Sequence, residues 1–202
     1  IISTLQKINF NFKWKIMNEV IIFIPTYNRN KSLIDCLKSI KKIKNKNLFK
    51  IKVLIVDNST TNNSYKVIKK FNKGSIIKIY HEHEKKRGIV FARNKCLELA
   101  RKLKPKYVAF IDDDCKVEKN WLVNISKLLK KSDADVITGP QLYENSDKNN
   151  HMYLFEKKYK KKFLKVNWAA SNNVFFKFNI LEQEKNLKFD KNLNKFGMGE
   201  DQ

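Results

Sequence analysis

Arginine is scarce in this chain: among 43 basic residues only Arg29, Arg87, Arg93 and Arg101 are arginines, and the rest are lysines. Planar recognition of bases and phosphates favours the forked guanidinium, so a formal charge of +23 does not by itself point to specific nucleic-acid binding. Abundant Asn and Ile accompany the Lys, the joint bias of an AT-rich coding sequence, and much of the charge therefore needs no functional cause. What survives is the attraction of a basic surface for anionic lipid headgroups, which makes peripheral membrane contact an expectation. Apolar runs of membrane-spanning length, roughly 20 residues, are missing, and the longest candidates have strand length. Cysteine is limited to Cys36, Cys96 and Cys115, odd in number and without a C-x-x-C pair. That argues for a reduced, cytoplasmic compartment and against a disulfide framework or zinc site. A secretory signal is also lacking, because residues 1–16 mix Asn, Lys and Phe without a clean apolar core. We treat them as a leader of unknown role.

What is present is one substantial core: 202 residues with a 42% hydrophobic share suit a single globular domain. Val20-Ile21-Ile22-Phe23-Ile24-Pro25 reads as a strand buried on both faces. Residues 30–43 then carry Leu33, Ile34, Leu37, Ile40 and Ile43 at helical spacing, with Asn30 as a cap. Further strands are expected at 50–57, 76–80, 107–111 and 134–138, alternating with helices at 63–71, from 89, and at 121–129. This alternation is the signature of βαβ units and a mainly parallel sheet. Residues 141–165 are polar and Lys-rich with interspersed aromatics, suiting either a flap or a surface helix. Strand-like alternation resumes at 167–178, followed by a short helix at 180–185.

In such sheets ligands bind beyond the carboxyl ends of the strands. Pro25-Thr26-Tyr27-Asn28, Asp57-Asn58 and Asp112-Asp113-Asp114 all lie at that end. Three adjacent carboxylates repel one another, so a cation is expected beside them. Capping of the next helix would occupy one of the three and leave two unexplained. His81-Glu82-His83-Glu84 alternates as metal ligands on a strand face would. No other His/Cys cluster accompanies it, and it reads as a solvated strand end or loop.

Five motifs resemble those of family 2 glycosyltransferases in order and approximate spacing: Phe23-Ile24-Pro25-Thr26-Tyr27-Asn28-Arg29; Val56-Asp57-Asn58-Ser59-Thr60; Arg87-Gly88 with Ala92-Arg93-Asn94; Phe110-Ile111-Asp112-Asp113-Asp114 followed by Trp121-Leu122; and Gly199-Glu200-Asp201. The resemblance covers about residues 19–202. It implies an α/β chain with the GT-A (nucleotide-diphospho-sugar transferase-like) fold, a mainly parallel central sheet flanked by helices. It also implies a nucleotide-diphosphate sugar donor, Mg²⁺ or Mn²⁺, and inversion at the anomeric carbon during transfer to a hydroxyl of a glycan or lipid-linked acceptor. Such hexosyltransferase-like work belongs to bacterial polysaccharide biosynthesis, in the cytoplasm or at the inner face of the membrane. Residues 17–202 would be the catalytic domain, incomplete at its C-terminus because family members commonly continue past the acidic pair.

By the same resemblance Pro25, Thr26, Tyr27, Arg29, Asp57, Arg93, Asp112 and Asp113 bind the nucleotide. Asp112 and Asp114 form the D-x-D pair that contacts the metal, with Asp112 and Asp113 competing for the ribose or a water-mediated contact. Asp201 occupies the position of the catalytic base and Glu200 is its neighbour. Trp168, Asn172 and Asn173 lie where the donor sugar and acceptor bind. Residues can be weighed independently of the family: Tyr27 offers a flat face with a polar tip, and Asp57 can accept from a base N–H or a ribose hydroxyl. Arg93 can face a diphosphate or serve solubility on the surface. Ser59 and Asn62 depart from the commoner Asp-Asn-Gly-Ser-Thr-Asp loop. A sugar-phosphate nucleotidyltransferase is the enzymatic rival, but it needs a Gly-rich, Arg-containing loop after the first strand, unlike Pro25-Thr26-Tyr27-Asn28-Arg29. A basic protein binding nucleic acid or another anionic surface would explain the charge and ignore the acidic clusters.

Overall fold

The computed structural model describes residues 18–73, 76–140 and 165–192. The expected leader, the aromatic segment 141–164 and the Gly199-Glu200-Asp201 motif lie outside them. Continuous apolar runs become strands β1 (Asn18–Thr26), β2 (Phe49–Asp57), β3 (Lys78–His83) and β4 (Tyr107–Ile111), followed by β5 (Val136–Thr138) and β6 (Asn173–Lys177). Segments of helical spacing become α1 (Asn30–Lys41), α2 (Ser64–Asn72), α3 (Ile89–Leu103), α4 (Trp121–Lys131) and α5 (Asn179–Gln183). The strands form one sheet in the order β3-β2-β1-β4-β6-β5.

Strand periodicity divides the core into two layers. Val20, Ile22 and Ile24 of β1 join Leu33, Cys36, Leu37 and Ile40 of α1, Ile68 of α2 and Leu122 and Ile125 of α4. Ile21 and Phe23 join Ala92, Cys96, Leu97 and Ala100 of α3 and Leu181 of α5 on the other face. Val20 to Ile24 are at most 1% exposed, so β1 is the spine of the molecule. Each of its larger side chains contributes about 2 kcal/mol of burial. No helix among the described residues is long and apolar enough to cross a membrane.

Strands β1 to β4 pair in parallel, as the alternation predicts, whereas β6 runs antiparallel to both β4 and β5. Four local expectations change. The strand-like alternation over 167–178 yields a strand only at Asn173–Lys177. β3 extends to His83 rather than ending at residue 80, because Asp57 of β2 continues the ladder opposite His83. β5 is shorter than 134–138, and its edge residue Val136 is 47% exposed. Asn30 does not cap α1: the backbone of Arg29 begins the helix, its carbonyl accepting from the Leu33 N–H, and no side chain caps it.

Candidate active site

The chain proceeds from β1 outward through β2 and β3, then returns to place β4 on the opposite side of β1. This reversal is a topological switch point, where the loops after two neighbouring strands diverge and leave a crevice. Phe23 lies opposite Phe110 in the β1–β4 register, so both chains leave the sheet at the same edge. Tyr27 and Arg29 after β1, Arg93 of α3, and Asp112, Asp113 and Asp114 after β4 line the resulting cleft together with Pro25, Thr26 and Asn58.

Each of the three adjacent carboxylates has its own partner. Thr26 Oγ1 donates to Asp113 Oδ2 at 2.5 Å. Arg29 Nη1 lies 3.0 Å from Asp114 Oδ2 and 3.7 Å from Asp113 Oδ1. Arg93 Nη2 donates to both oxygens of Asp112, at 3.3 and 3.4 Å. The cation demanded by three anions is thus supplied by two arginines, one from each side of the cleft. Burial pushes the Asp113 carboxyl up to about 6, against the lowering pull of Thr26 and Arg29. Burial likewise raises Asp112, against Arg93. Arg93 Nε is buried and has no hydrogen-bond partner among the described residues. Beneath the turn, the Cys36 thiol donates to the Asp112 carbonyl at 3.7 Å, and burial pushes the Cys115 thiol up to about 12. Both sulfurs are therefore protonated packing groups.

The second acidic strand end is different. Asp57 is 1% exposed and lies outside the cleft lining. Its Oδ1 accepts the Ser59 N–H at 2.8 Å, and its Oδ2 accepts the Ser64 N–H at 3.1 Å and the Ser64 hydroxyl at 2.5 Å. Burial opposes its charge, but hydrogen bonding involving His81, Ser64 and Ser59 outweighs that and holds the carboxyl well below the usual range. Three of its acceptor sites are therefore taken by its own loop rather than turned to the cleft. These bonds shape the β2–α2 loop.

The His81-Glu82-His83-Glu84 segment is a strand end, as the sequence reading has it, but its two histidines are part-buried rather than solvated. His81 Nε2 lies 3.1 Å from Ser64 Oγ and its side chain is 11% exposed, while His83 Nε2 lies 2.7 Å from the Ser59 carbonyl. Their alternation along β3 aims both at this loop, and the signal was the alternation itself. Asn58 was legible only as a motif letter. Its amide donates to the carbonyls of Glu84 and Lys86 at 2.8 and 2.7 Å and accepts the Gly88 N–H at 2.7 Å. Gly88, at φ 127°, makes the turn into α3 that a side chain would strain. The clip holds the loop from which Arg87 reaches over the Tyr27 ring, 5.5 Å from its centroid.

On the far side, Asn173 lies opposite Ile111, one residue before Asp112. Its Oδ1 accepts from Trp121 Nε1 at 3.2 Å and its backbone carbonyl from the Thr138 hydroxyl at 2.8 Å, bracing α4 and β5 beside the acidic turn. Asn172 precedes it, and Trp168 is 59% exposed. Asn94 exchanges two hydrogen bonds with the Phe189 backbone, at 2.8 and 3.0 Å, and Arg93 lies 5.8 Å from the Phe189 ring centroid. Segment 184–189 is also held by Arg101 Nη2, 2.7 Å from the Leu187 carbonyl. Segment 184–189 is therefore fixed against α3, and Glu200 and Asp201 lie outside the described residues.

The donor chemistry suits a hard divalent cation. Asp112 and Asp114 present side chains 28% and 52% exposed. Among the described residues no group of three or more His, Cys, Asp or Glu is arranged to hold a metal. Two carboxylates with phosphate oxygens and water completing the shell is the ordinary arrangement for Mg²⁺ or Mn²⁺.

Solved structures share this architecture. Staphylococcus aureus TarS 1–349 aligns with a TM-score of 0.67 at 19% identity, over 88% of this chain and 52% of that one. It has also been solved in complexes with UDP and with UDP-GlcNAc. The mannosyltransferase PcManGT from Pyrobaculum calidifontis, in complex with GDP-Man and Mn²⁺, aligns with a TM-score of 0.63 at 19% identity, over 84% of this chain and 47% of that one. The fold is therefore GT-A, with a mixed, mostly parallel sheet. Among curated proteins, the glycosyltransferase GlyG of Streptococcus pneumoniae is 30% identical over 68% of this chain and 44% of its own length. The poly(ribitol-phosphate) β-N-acetylglucosaminyltransferase TarP of Staphylococcus aureus is 25% identical over 89% and 53%. The chain spans about half the length of these two relatives. The model of glycosyl transferase family 2 matches residues 21–195, and the chain belongs to that family.

Proposed function

We propose that this domain transfers a sugar from a nucleotide-diphosphate sugar to a hydroxyl group of a glycan or lipid-linked acceptor, with inversion at the anomeric carbon. The observation that carries the reading is the meeting of Asp112, Asp113 and Asp114 with Tyr27, Arg29 and Arg93 at the switch point. Neighbours of the same fold in complex with UDP, UDP-GlcNAc, or GDP-Man and Mn²⁺ support this donor class.

In this reading Pro25, Thr26 and Tyr27 receive the base, and Asp57 serves that side by holding the loop that carries Asn58. Asp113, drawn towards Thr26, keeps the acidic turn against β1, and Arg93, which lines the cleft, faces the diphosphate. Asp112 and Asp114 would hold Mg²⁺ or Mn²⁺, which stabilises charge developing on the departing nucleoside diphosphate. Asp201 takes the proton of the acceptor hydroxyl as its oxygen attacks the anomeric carbon, and the bond to the diphosphate breaks on the opposite face. Glu200 positions the acceptor, with Trp168, Asn172 and Asn173 on the sugar side. The basic surface brings the domain to the inner face of a bacterial membrane, where a lipid-linked acceptor is reached.

A thermal-shift screen of UDP- and GDP-sugars with Mn²⁺ tests the donor class, because a ligand specific to the native state raises its stability by mass action. One donor is expected to raise Tm only with Mn²⁺ present. Asp114→Asn should abolish that increment, and a variant that binds donor with unchanged Mn²⁺ dependence would falsify the reading.

A further inference from the structure

Arg29 stands where the acidic turn needs a cation. Its guanidinium lies 3.0 Å from Asp114 and 3.7 Å from Asp113, on the same carboxylates that a divalent ion would approach. The side chain is 32% exposed, and its backbone carbonyl is fixed as the start of α1 through the Leu33 N–H. The head can therefore swing while its root stays in place. Asp112 is held separately by Arg93, which is 15% exposed, so the two arginines differ in freedom.

We propose that Arg29 is an internal counter-ion of the metal-free state. It occupies Asp114 until a diphosphate enters the cleft, then transfers to the phosphate oxygens and leaves Asp114 to the divalent cation. This rests on the donor-site reading above. Arg29 makes metal and nucleotide binding mutually dependent: a cation alone must displace the guanidinium, whereas a diphosphate gives the guanidinium another anion. Such coupling is reciprocal by linkage, so the diphosphate in turn binds more tightly when the cation is present.

The test measures Mn²⁺ binding to the whole chain by electron paramagnetic resonance of the free ion, with and without UDP, and in a parallel arm with GDP. Arg29→Gln should bind Mn²⁺ alone about fivefold more tightly than the parent, the most that a part-exposed ion pair of this kind withholds. The enhancement of Mn²⁺ affinity by the nucleotide should shrink. Arg29→Lys, which keeps the charge without the fork, should fall between the two. Unchanged or weaker binding of Mn²⁺ alone by Arg29→Gln overturns the proposal. If that happens while Asp114→Asn still abolishes Mn²⁺-dependent nucleotide binding, the donor site stands and only the role of Arg29 fails. If Asp114→Asn changes neither Mn²⁺ nor nucleotide binding, the donor site itself is refuted, and the counter-ion with it.

Discussion

At the end of β2, Asp57 is 1% exposed, accepts three hydrogen bonds from Ser59 and Ser64, and has its carboxyl held well below the ordinary range. At the end of β4, Asp112 and Asp113 are raised by burial and Asp114 is 52% exposed, with arginine heads rather than a closed shell of neutral donors around them. The same residue type in the same fold position has taken two forms. A carboxylate closed in at 1% exposure by Ser59 and Ser64 of its own loop and by His81 of β3 is a construction element. A cluster whose partners come from residues 19 to 87 positions away, and whose arginines line the cleft beside it, is the proposed donor site.

The largest expected effect separates function from stability. Asp114→Asn should remove Mn²⁺-dependent donor binding while changing unfolding free energy by less than about 0.5 kcal/mol, as for an exposed side chain. Calorimetry and urea denaturation on one preparation would read both. A large loss of stability would erase the contrast. Asp57→Ala should do the reverse, costing about 3 kcal/mol because buried donors of Ser59 and Ser64 lose their acceptor. A cost under about 1 kcal/mol in urea would place Asp57 outside the loop's construction.

The pH dependence sharpens the same point. The folded-state carboxyl of Asp57 is depressed below its unfolded value near 3.8, so its contribution is present above that pH and is lost as pH falls towards the folded value. Asp57→Asn should therefore flatten the acid limb of the stability curve below about pH 4. An acid limb parallel to that of the parent would contradict the assignment.

Asn58→Ala removes the clip between two loops and should cost about 2 kcal/mol, with a measurable loss of nucleotide affinity as Arg87 and Tyr27 loosen. Nucleotide titration that matches the parent would detach this clip from the cleft. The smallest effect is expected for His83→Ala, about 1 kcal/mol for one hydrogen bond to the Ser59 carbonyl, with donor binding unchanged. If His83→Ala instead weakened metal-dependent binding as Asp114→Asn does, the division between the two strand ends would not hold.

Much of this fold is legible in the sequence. β1 and β4 announced themselves as apolar runs, α1 and α3 by helical spacing, and the order of strands and helices predicted a mainly parallel sheet. Pro25-Thr26-Tyr27-Asn28 and Asp112-Asp113-Asp114 could be placed at one edge because every parallel strand ends on that side. The antiparallel insertion of β6 was not legible, since pairing direction leaves no mark on local periodicity. For His81 and His83 the strand end is legible but their packing is not, because alternation describes a strand face without naming what that face meets.

Sequence by itself therefore determined the elements, the edge of the sheet where polar chemistry collects, and the need for a cation beside three carboxylates. These follow from periodicity and charge over a few neighbouring residues. Tertiary structure alone decided that Arg29 and Arg93 supply that cation and that Asp57 turns into its own loop. It alone also made Asn58, His81 and His83 hold the loops together. Those outcomes depend on which side chains meet across the sheet edge, and the partners of a carboxylate are set by packing between segments distant in the chain.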